Sequence, residues 1–182
     1  MPEQLSLHPQ AIEQVDAPKA AKPEPQPVSK VTNTSDVARF AKCTLKDPEE
    51  EAWIGGTINF SQMPGEGVRY TGTIEGITPG PHGFHVHTSG DLRGGCSSTA
   101  GHYIGNKVHV MGTPMLGDLN PAVADENGVA RINEYKEDLN LSGAESIIGR
   151  SLVIHAGPDG SDRKARIACC TIGLAASPRG RW

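Results

Sequence analysis

The chain of 182 residues has few aromatic side chains, which make up only 4% of it. It contains no run of about 18 apolar residues, so no transmembrane helix is predicted. Lys and Arg do not cluster and the net charge is -4, which argues against a nucleic-acid partner. The N-terminus has neither the basic nor the apolar segment of a signal peptide. We therefore expect a cytoplasmic protein with no membrane partner, or an extracellular one whose signal has been removed.

Long helical periodicity is also absent, whereas glycine and proline are frequent, with 22 and 14 residues. Short extended segments separated by turns predict an all-β fold. The predicted strands are Ala38–Leu45, Trp53–Phe60, Val68–Ile77, Gly83–His87, Ala122–Ala124, Ala130–Ile132, Ile147–His155 and Arg166–Leu174. We expect a Greek-key β-sandwich or flattened barrel of about eight antiparallel strands.

The first 37 residues differ in composition from the rest of the chain. Six prolines interrupt a polar stretch that is rich in Ala and Lys. Such a segment cannot bury enough apolar surface to offset the entropy lost on ordering. We expect residues 1–37 to be a disordered tail and residues 38–182 to form one folded domain.

Histidines carry the strongest chemical signal in the sequence. His85 and His87 lie two apart on a predicted strand, so both side chains project from one face. His102 lies in a long Gly- and Ser-rich stretch, Thr88–Pro121, of the kind that is usually functional. His155 ends the predicted strand Ile147–His155. This arrangement predicts a metal site, and spacing alone does not decide between copper and zinc.

The motifs around these histidines resemble those of the copper/zinc superoxide dismutase family. They occur in family order from about Ala41 to Ala175. They are Gly80–His87 (GPHGFHVH), Gly90-Asp91, Cys96, Ala100-Gly101-His102, Gly117-Asp118-Leu119, Ala124–Gly128 (ADENG), Ile148–His155 (IGRSLVIH) and Arg166–Cys169 (RIAC). The resemblance implies an enzyme that disproportionates superoxide to oxygen and hydrogen peroxide.

The resemblance also implies a role for individual residues. The copper ligands would be His85, His87, His102 and His155. His102 would also bridge copper to zinc and take part in catalysis, and the zinc ligands would be His102, His109 and Asp118. Arg166 would be the catalytic arginine that attracts the anion. Asp159 would link the two metal sites through second-shell hydrogen bonds.

Four cysteines are present: Cys43, Cys96, Cys169 and Cys170. Their number alone does not say which of them pair. The resemblance implies a disulfide between Cys96 and Cys169. Cys43 and Cys170 are then expected to be reduced.

Two features depart from the family pattern. Met115 occupies the position three residues before Asp118 where the family has a zinc-binding histidine, and a thioether is a poor zinc ligand. The segment Gly160–Ala165 replaces a much longer charged loop. Both losses are similar to those of the copper-only branch of the family. Copper is therefore the expected cofactor, and zinc is uncertain.

An alternative function remains open at this point. Some relatives of the family are non-catalytic copper-binding proteins or belong to copper chaperones. The complete set of copper ligands and Arg166 favour the enzyme, and the Pro-rich tail contains no Cys-x-x-Cys motif. The resemblance also suggests a homodimer, although no dimer face is evident in the sequence.

Overall fold

The computed structural model describes residues 37–47, 53–106, 108–162 and 164–177. In these ranges the chain forms strands and one 3-10 helix, Gly95–Thr99. The strands are β1 Arg39–Lys46, β2 Gly55–Gln62, β3 Val68–Glu75, β4 Gly80–His82, β5 Phe84–His87, β6 Ala122–Ala124, β7 Val129–Lys136, β8 Ser151–His155, β9 Arg166–Thr171 and β10 Gly173–Leu174. No helix of the described segments is long and apolar enough to cross a membrane. Apart from Val37, the predicted tail lies outside the described residues.

The strands form one antiparallel sheet in the order β4-β6-β7-β3-β2-β1-β9-β8-β5, with β10 paired to β1. Several neighbours are distant in sequence, as in Greek-key folds: β7 pairs with β3, and β9 pairs with β1. The two ends of this order, β4 and β5, are separated by Gly83 alone. The sheet therefore curls into a nearly closed barrel, and the predicted all-β Greek-key class is confirmed.

Side chains that point into the barrel form its core. In β1, Ala41, Cys43 and Leu45 are buried and alternate with exposed residues, because successive side chains of a strand point to opposite faces. Three of the few aromatic residues pack against one another in this core. The Tyr70 ring lies 6.3 Å from the Phe60 ring and 6.5 Å from the Phe84 ring, measured between centroids.

The strands differ from the predicted ones at two places that matter for the site. No strand was predicted between Ile77 and Gly83, yet β4 begins at Gly80 and pairs with β6. Pro81 is tolerated because β4 ends the sheet order, where a missing backbone N–H leaves no second strand unpaired. The predicted strand Ile147–His155 becomes regular only at Ser151, where β8 begins.

Gly83 joins the two ends of the sheet in a space that admits no side chain. Its N–H donates to the Gly157 carbonyl at 2.8 Å, and its own carbonyl accepts from the His155 N–H at 2.9 Å. A Cβ atom here would lie 2.6 Å from Asp159 Oδ1 and 2.9 Å from His85 Cε1. A side chain here would have to displace Asp159 and the His85 ring, so glycine suits this close approach.

Two disulfides leave β9 in opposite directions. Cys169 pairs with Cys96, the pair implied by the resemblance, with Cα atoms 5.7 Å apart. Cys170 pairs with Cys43, with Cα atoms 5.6 Å apart. The prediction that Cys43 and Cys170 are reduced is therefore wrong. Its error has a physical cause, since only the sheet order reveals that β1 and β9 are neighbours.

Candidate metal centre

Four histidines converge at one end of the barrel. His85 and His87 share a face of β5, and β5 pairs with β8, which ends at His155. His102 approaches from the long loop and forms an isolated bridge with His87. One ring nitrogen from each of the four histidines lies within 4.8 Å of the others. The sequence-predicted copper histidines are thus brought together.

Each imidazole is held by the nitrogen that points away from the cluster. His87 Nδ1 and His155 Nδ1 donate to the carbonyls of Ala100 and Lys164, both at 2.9 Å. His85 Nε2 bonds to Asp159 Oδ2 at 3.0 Å, and His102 Nδ1 bonds to Asp118 Oδ1 at 2.8 Å. Such outer partners fix the tautomer and the ring orientation of a metal-binding histidine.

The nitrogens that face the cluster are left without partners. His85 Nδ1, His87 Nε2 and His155 Nε2 are buried and have no hydrogen bond. Buried polar atoms nearly always have a hydrogen-bond partner, so three unpaired nitrogens at one point require an explanation. A metal ion that accepts their lone pairs supplies it, and an all-imidazole donor set suits copper in both of its oxidation states. The residues present therefore fit the metal that the resemblance implies.

The histidines are suited to bind metal at neutral pH. Burial lowers the pKa of His85 and His155, and it lowers the pKa of His87 to about 3. The lowered pKa values favour the neutral ring at these three positions at pH 7, and a neutral ring keeps a lone pair for a ligand bond. Burial opposes ionisation of Asp118, but hydrogen bonds from His102 and Met115 outweigh it and keep the pKa of this carboxyl low.

Arg166 lies opposite His155 on the neighbouring strand β9. Its Nη1 donates to the carbonyls of Cys96 and Ser97 at 2.9 and 3.2 Å and to Thr99 Oγ1 at 3.1 Å. These three acceptors hold the guanidinium beside the cluster. Its positive charge contributes, after burial, to the lowered pKa values of His87 and His155.

A cavity of about 400 Å³ opens beside the cluster and exposes one side of it to solvent. His102, His155, Met115 and Lys164 contribute to its wall. The connection from Asp159 to Arg166 contributes Asp159, Gly160 and Lys164 to the same wall. Small anions can therefore reach His102 and His155, the two histidines of its wall.

The residues expected to bind zinc are arranged differently. Asp118 uses Oδ1 for His102 and Oδ2 for the Met115 N–H, at 2.8 Å each. His109 lines a separate cavity with Met115 and makes no hydrogen bond to His102 or Asp118. In the part of the chain that the structure describes, the four copper histidines are the one cluster compact enough to hold a metal.

Comparison with known proteins agrees with this geometry. Residues 54–172 match the family model described as copper/zinc superoxide dismutase. The match spans most of the barrel and all four histidines of the cluster. The chain belongs to the copper/zinc superoxide dismutase family. This confirms the family resemblance and identifies the chain as a superoxide dismutase, an oxidoreductase.

One curated relative of this superoxide dismutase is the extracellular superoxide dismutase [Cu-Zn] of Onchocerca volvulus. The two sequences are 39% identical over 161 residues, which cover 76% of this chain and 78% of the relative. The similarity therefore extends over most of both proteins.

Two contacts of the superoxide dismutase site, made by Thr99 and by the Ala100 carbonyl, could not be predicted from the sequence pattern. Thr99 is fully buried, and its hydroxyl lies among Cys96, His87 and Arg166. Ala100 presents its carbonyl to His87 from a backbone with φ 63° and ψ -149°. Both residues lie in an irregular Gly- and Ser-rich stretch, where no periodic pattern distinguishes a buried side chain from an exposed one.

Proposed function

We propose that this dismutase works with one copper ion held by His85, His87, His102 and His155. The observation that carries the proposal is the set of orphaned nitrogens that face one another inside the cluster. Bound copper would exchange electrons with superoxide by alternating between Cu(II) and Cu(I). The chain itself holds the imidazoles in place, because every ring has a hydrogen-bond partner on its outer side.

Arg166 is proposed to attract and orient the anion. It carries a fixed charge beside His87 and His155, and the three hydrogen bonds that orient it all come from Nη1. The chain as a whole carries a charge of -4, so a local positive charge is needed to draw a small anion to the site. Lys164, on the wall of the open cavity, adds to this field.

His102 is proposed to deliver protons to the reduced oxygen species. Peroxide release requires protons, and the side chain of His102 is 27% exposed at the cavity. Its Nδ1 is held by Asp118, so Nε2 is the atom that would either hold copper or, when released from the metal, carry a proton. Asp159 holds His85 in the same manner and is proposed as a positioning residue.

Zinc is proposed to bind weakly. Asp118 already accepts two hydrogen bonds, and Met115 supplies a thioether where a closed tetrahedral site needs a nitrogen, oxygen or thiolate donor. His102, His109 and Asp118 therefore stay a predicted ligand set without a compact cluster. Asp118 is better suited to fix the orientation of His102 than to bind a second metal.

An extracellular location is proposed in place of the expected cytoplasmic one. The relative from Onchocerca volvulus is named as extracellular. All four cysteines are paired, and such disulfides persist in oxidising compartments. Fractionation of the source organism should recover the oxidised enzyme in the extracellular fraction, and an enzyme found in the cytosol would contradict this. The expected homodimer stays a prediction that sedimentation analysis can test.

Copper loading tests the proposed ligand set. His85→Ala and His155→Ala should each abolish tight copper binding and dismutation, because only three imidazoles remain. His109→Ala is the matched control, since it removes an imidazole outside the cluster and should retain one copper. Metal analysis and pulse radiolysis measure the two properties. Full activity in copper-loaded His85→Ala would contradict the assignment, and bound copper without dismutation in the unmodified protein would favour a copper-binding or chaperone-related role.

Zinc analysis tests the proposed weakness of the second site. The purified protein should contain less than one zinc per chain after exposure to excess zinc and dialysis. Met115→His should raise the zinc content, because it adds an imidazole three residues before Asp118. Tight binding of one zinc by the unmodified protein would show that another donor completes the site.

A further inference from the structure

We propose that Thr99 is a positioning residue that joins the anion-binding guanidinium of Arg166 to the copper ligand His87 through its hydroxyl group. The inference rests on the proposed roles of these two residues and adds a third residue that neither the motifs nor the family match assigns. Thr99 ends the 3-10 helix Gly95–Thr99 and has no exposed surface.

The hydroxyl of Thr99 has three polar neighbours. It donates its hydrogen to the Cys96 carbonyl at 2.8 Å and accepts from Arg166 Nη1 at 3.1 Å. His87 Nδ1 lies 3.2 Å from the same oxygen. A hydroxyl has one donor and two acceptor sites, so these three contacts match its full capacity.

The direction of the contact with His87 follows from its other partner. The Ala100 carbonyl accepts from His87 Nδ1 at 2.9 Å, so the proton must reside on Nδ1. Thr99 Oγ1 can then only accept from this N–H, which is shared between the two oxygens. Nε2 of His87 consequently keeps its lone pair toward the cluster, where it has no other partner.

A simpler role would be a local one, because Ser and Thr hydroxyls often bond to the carbonyl three residues earlier. Thr99 makes this bond to Cys96, and Ser98 makes the equivalent bond to Gly95 at 2.9 Å. The remaining bonds of Ser98 go to the Gly94 N–H and the Asp91 carbonyl. Only Thr99 adds bonds to a charged group and to a metal-binding ring, which a local cap does not need.

The shared hydroxyl couples two functions that different strands provide. His87 belongs to β5, whereas Arg166 begins β9, and the Thr99 hydroxyl that contacts both is buried. A displaced guanidinium changes where the anion docks, and a rotated imidazole changes the copper geometry. Loss of the hydroxyl should therefore affect both properties together.

Three variants of the copper-loaded, disulfide-intact enzyme test this role. Thr99→Val removes the hydroxyl with little change of volume, Thr99→Ser keeps it, and Ser98→Ala removes the neighbouring hydroxyl as a matched control. Azide titration reports the docking of a small anion, Cu(II) electron paramagnetic resonance reports the copper geometry, and metal analysis confirms equal copper content. Thr99→Val should weaken azide binding by about three- to tenfold and shift the resonance parameters. Thr99→Ser should restore both.

The outcomes separate this inference from the proposed function. If Thr99→Val only lowers the melting temperature and leaves azide affinity and the resonance spectrum as in Ser98→Ala, the hydroxyl is a local cap and the inference is wrong. If Thr99→Val does not fold, Thr99→Ser and Thr99→Ala decide, because the inference requires the first to retain the native spectrum and the second to lose it. If the unmodified copper protein neither binds azide nor dismutates superoxide, the proposed function itself fails.

Discussion

The adjacent cysteines of β9 stand in two very different regions of the molecule. Cys170 points into the barrel and pairs with Cys43 among the apolar side chains of the main core. Cys169 points outward and pairs with Cys96, in a small separate cluster with Val153 and Leu92. The inner disulfide joins strands that are already neighbours in the sheet. The outer one fastens an irregular loop whose carbonyls hold Arg166.

One strand thus serves stability on one face and the geometry of the site on the other. The inner disulfide closes a sequence separation of 127 residues within packed surroundings, so its main effect is on the free energy of unfolding. The outer disulfide secures the 3-10 helix that carries Cys96 and Thr99, so its effect extends to the anion and to His87. The two faces should therefore respond separately to mutation.

The largest expected effect is on the inner face. Cys43→Ala combined with Cys170→Ala should lower the free energy of unfolding by about 2–4 kcal/mol, since it frees the unfolded chain and leaves space in the core. Denaturant titration followed by circular dichroism measures this loss. The dismutation rate per bound copper should stay unchanged, and a rate that falls with stability would show that the faces are not independent.

A smaller effect, confined to the outer face, is expected from Arg166→Glu. Reversing the charge beside the copper should slow dismutation by roughly 10- to 100-fold at low salt, because steering by local charge contributes on this scale. Copper content should not change. Arg69→Glu makes the same change in net charge on β3, which pairs with neither β5 nor β8, and serves as the control. An unchanged rate in Arg166→Glu would remove Arg166 from the proposed site.

Removing the outer disulfide should slow dismutation no more than Arg166→Glu does. Cys96→Ala combined with Cys169→Ala leaves the ligand histidines intact but loosens the carbonyls of Cys96 and Ser97 that orient Arg166. We expect azide affinity and dismutation rate to fall by about tenfold, the scale of one lost hydrogen bond to a charged group. If only stability falls, as for the inner pair, the comparison between the two disulfides does not hold.

The smallest effect concerns Ala100, which follows the outer helix. Its φ of 63° with ψ of -149° is a backbone conformation that glycine adopts far more readily than alanine. Ala100→Gly should raise the free energy of unfolding by about 1 kcal/mol, because relief of strain exceeds the added entropy of the unfolded chain. Thermal unfolding of the metal-free protein measures it. A lowered melting temperature would show that the alanine conformation carries no strain.

The sequence contained enough information for the fold class and for the four histidines of the cluster. Alternating strands and turn residues predict the barrel, and His85-Val86-His87 places two ligands on one face by strand periodicity alone. The Cys43–Cys170 pair was beyond reach, because the pairing of β1 with β9 depends on long-range sheet order. Thr99 was missed for a related reason, since its partners come from β5 and β9 as well as from its own helix.

Gly83 shows what the joining of barrel and metal site means for the evolution of this chain. Any larger residue at this position would press against Asp159 and His85 at once, so a mutation there cannot alter the closure of the barrel without also disturbing a ligand histidine and its hydrogen-bond partner. A substitution of Gly83 is therefore expected to change catalysis as well as the closure of the barrel. Selection for dismutase activity is therefore expected to retain glycine at position 83.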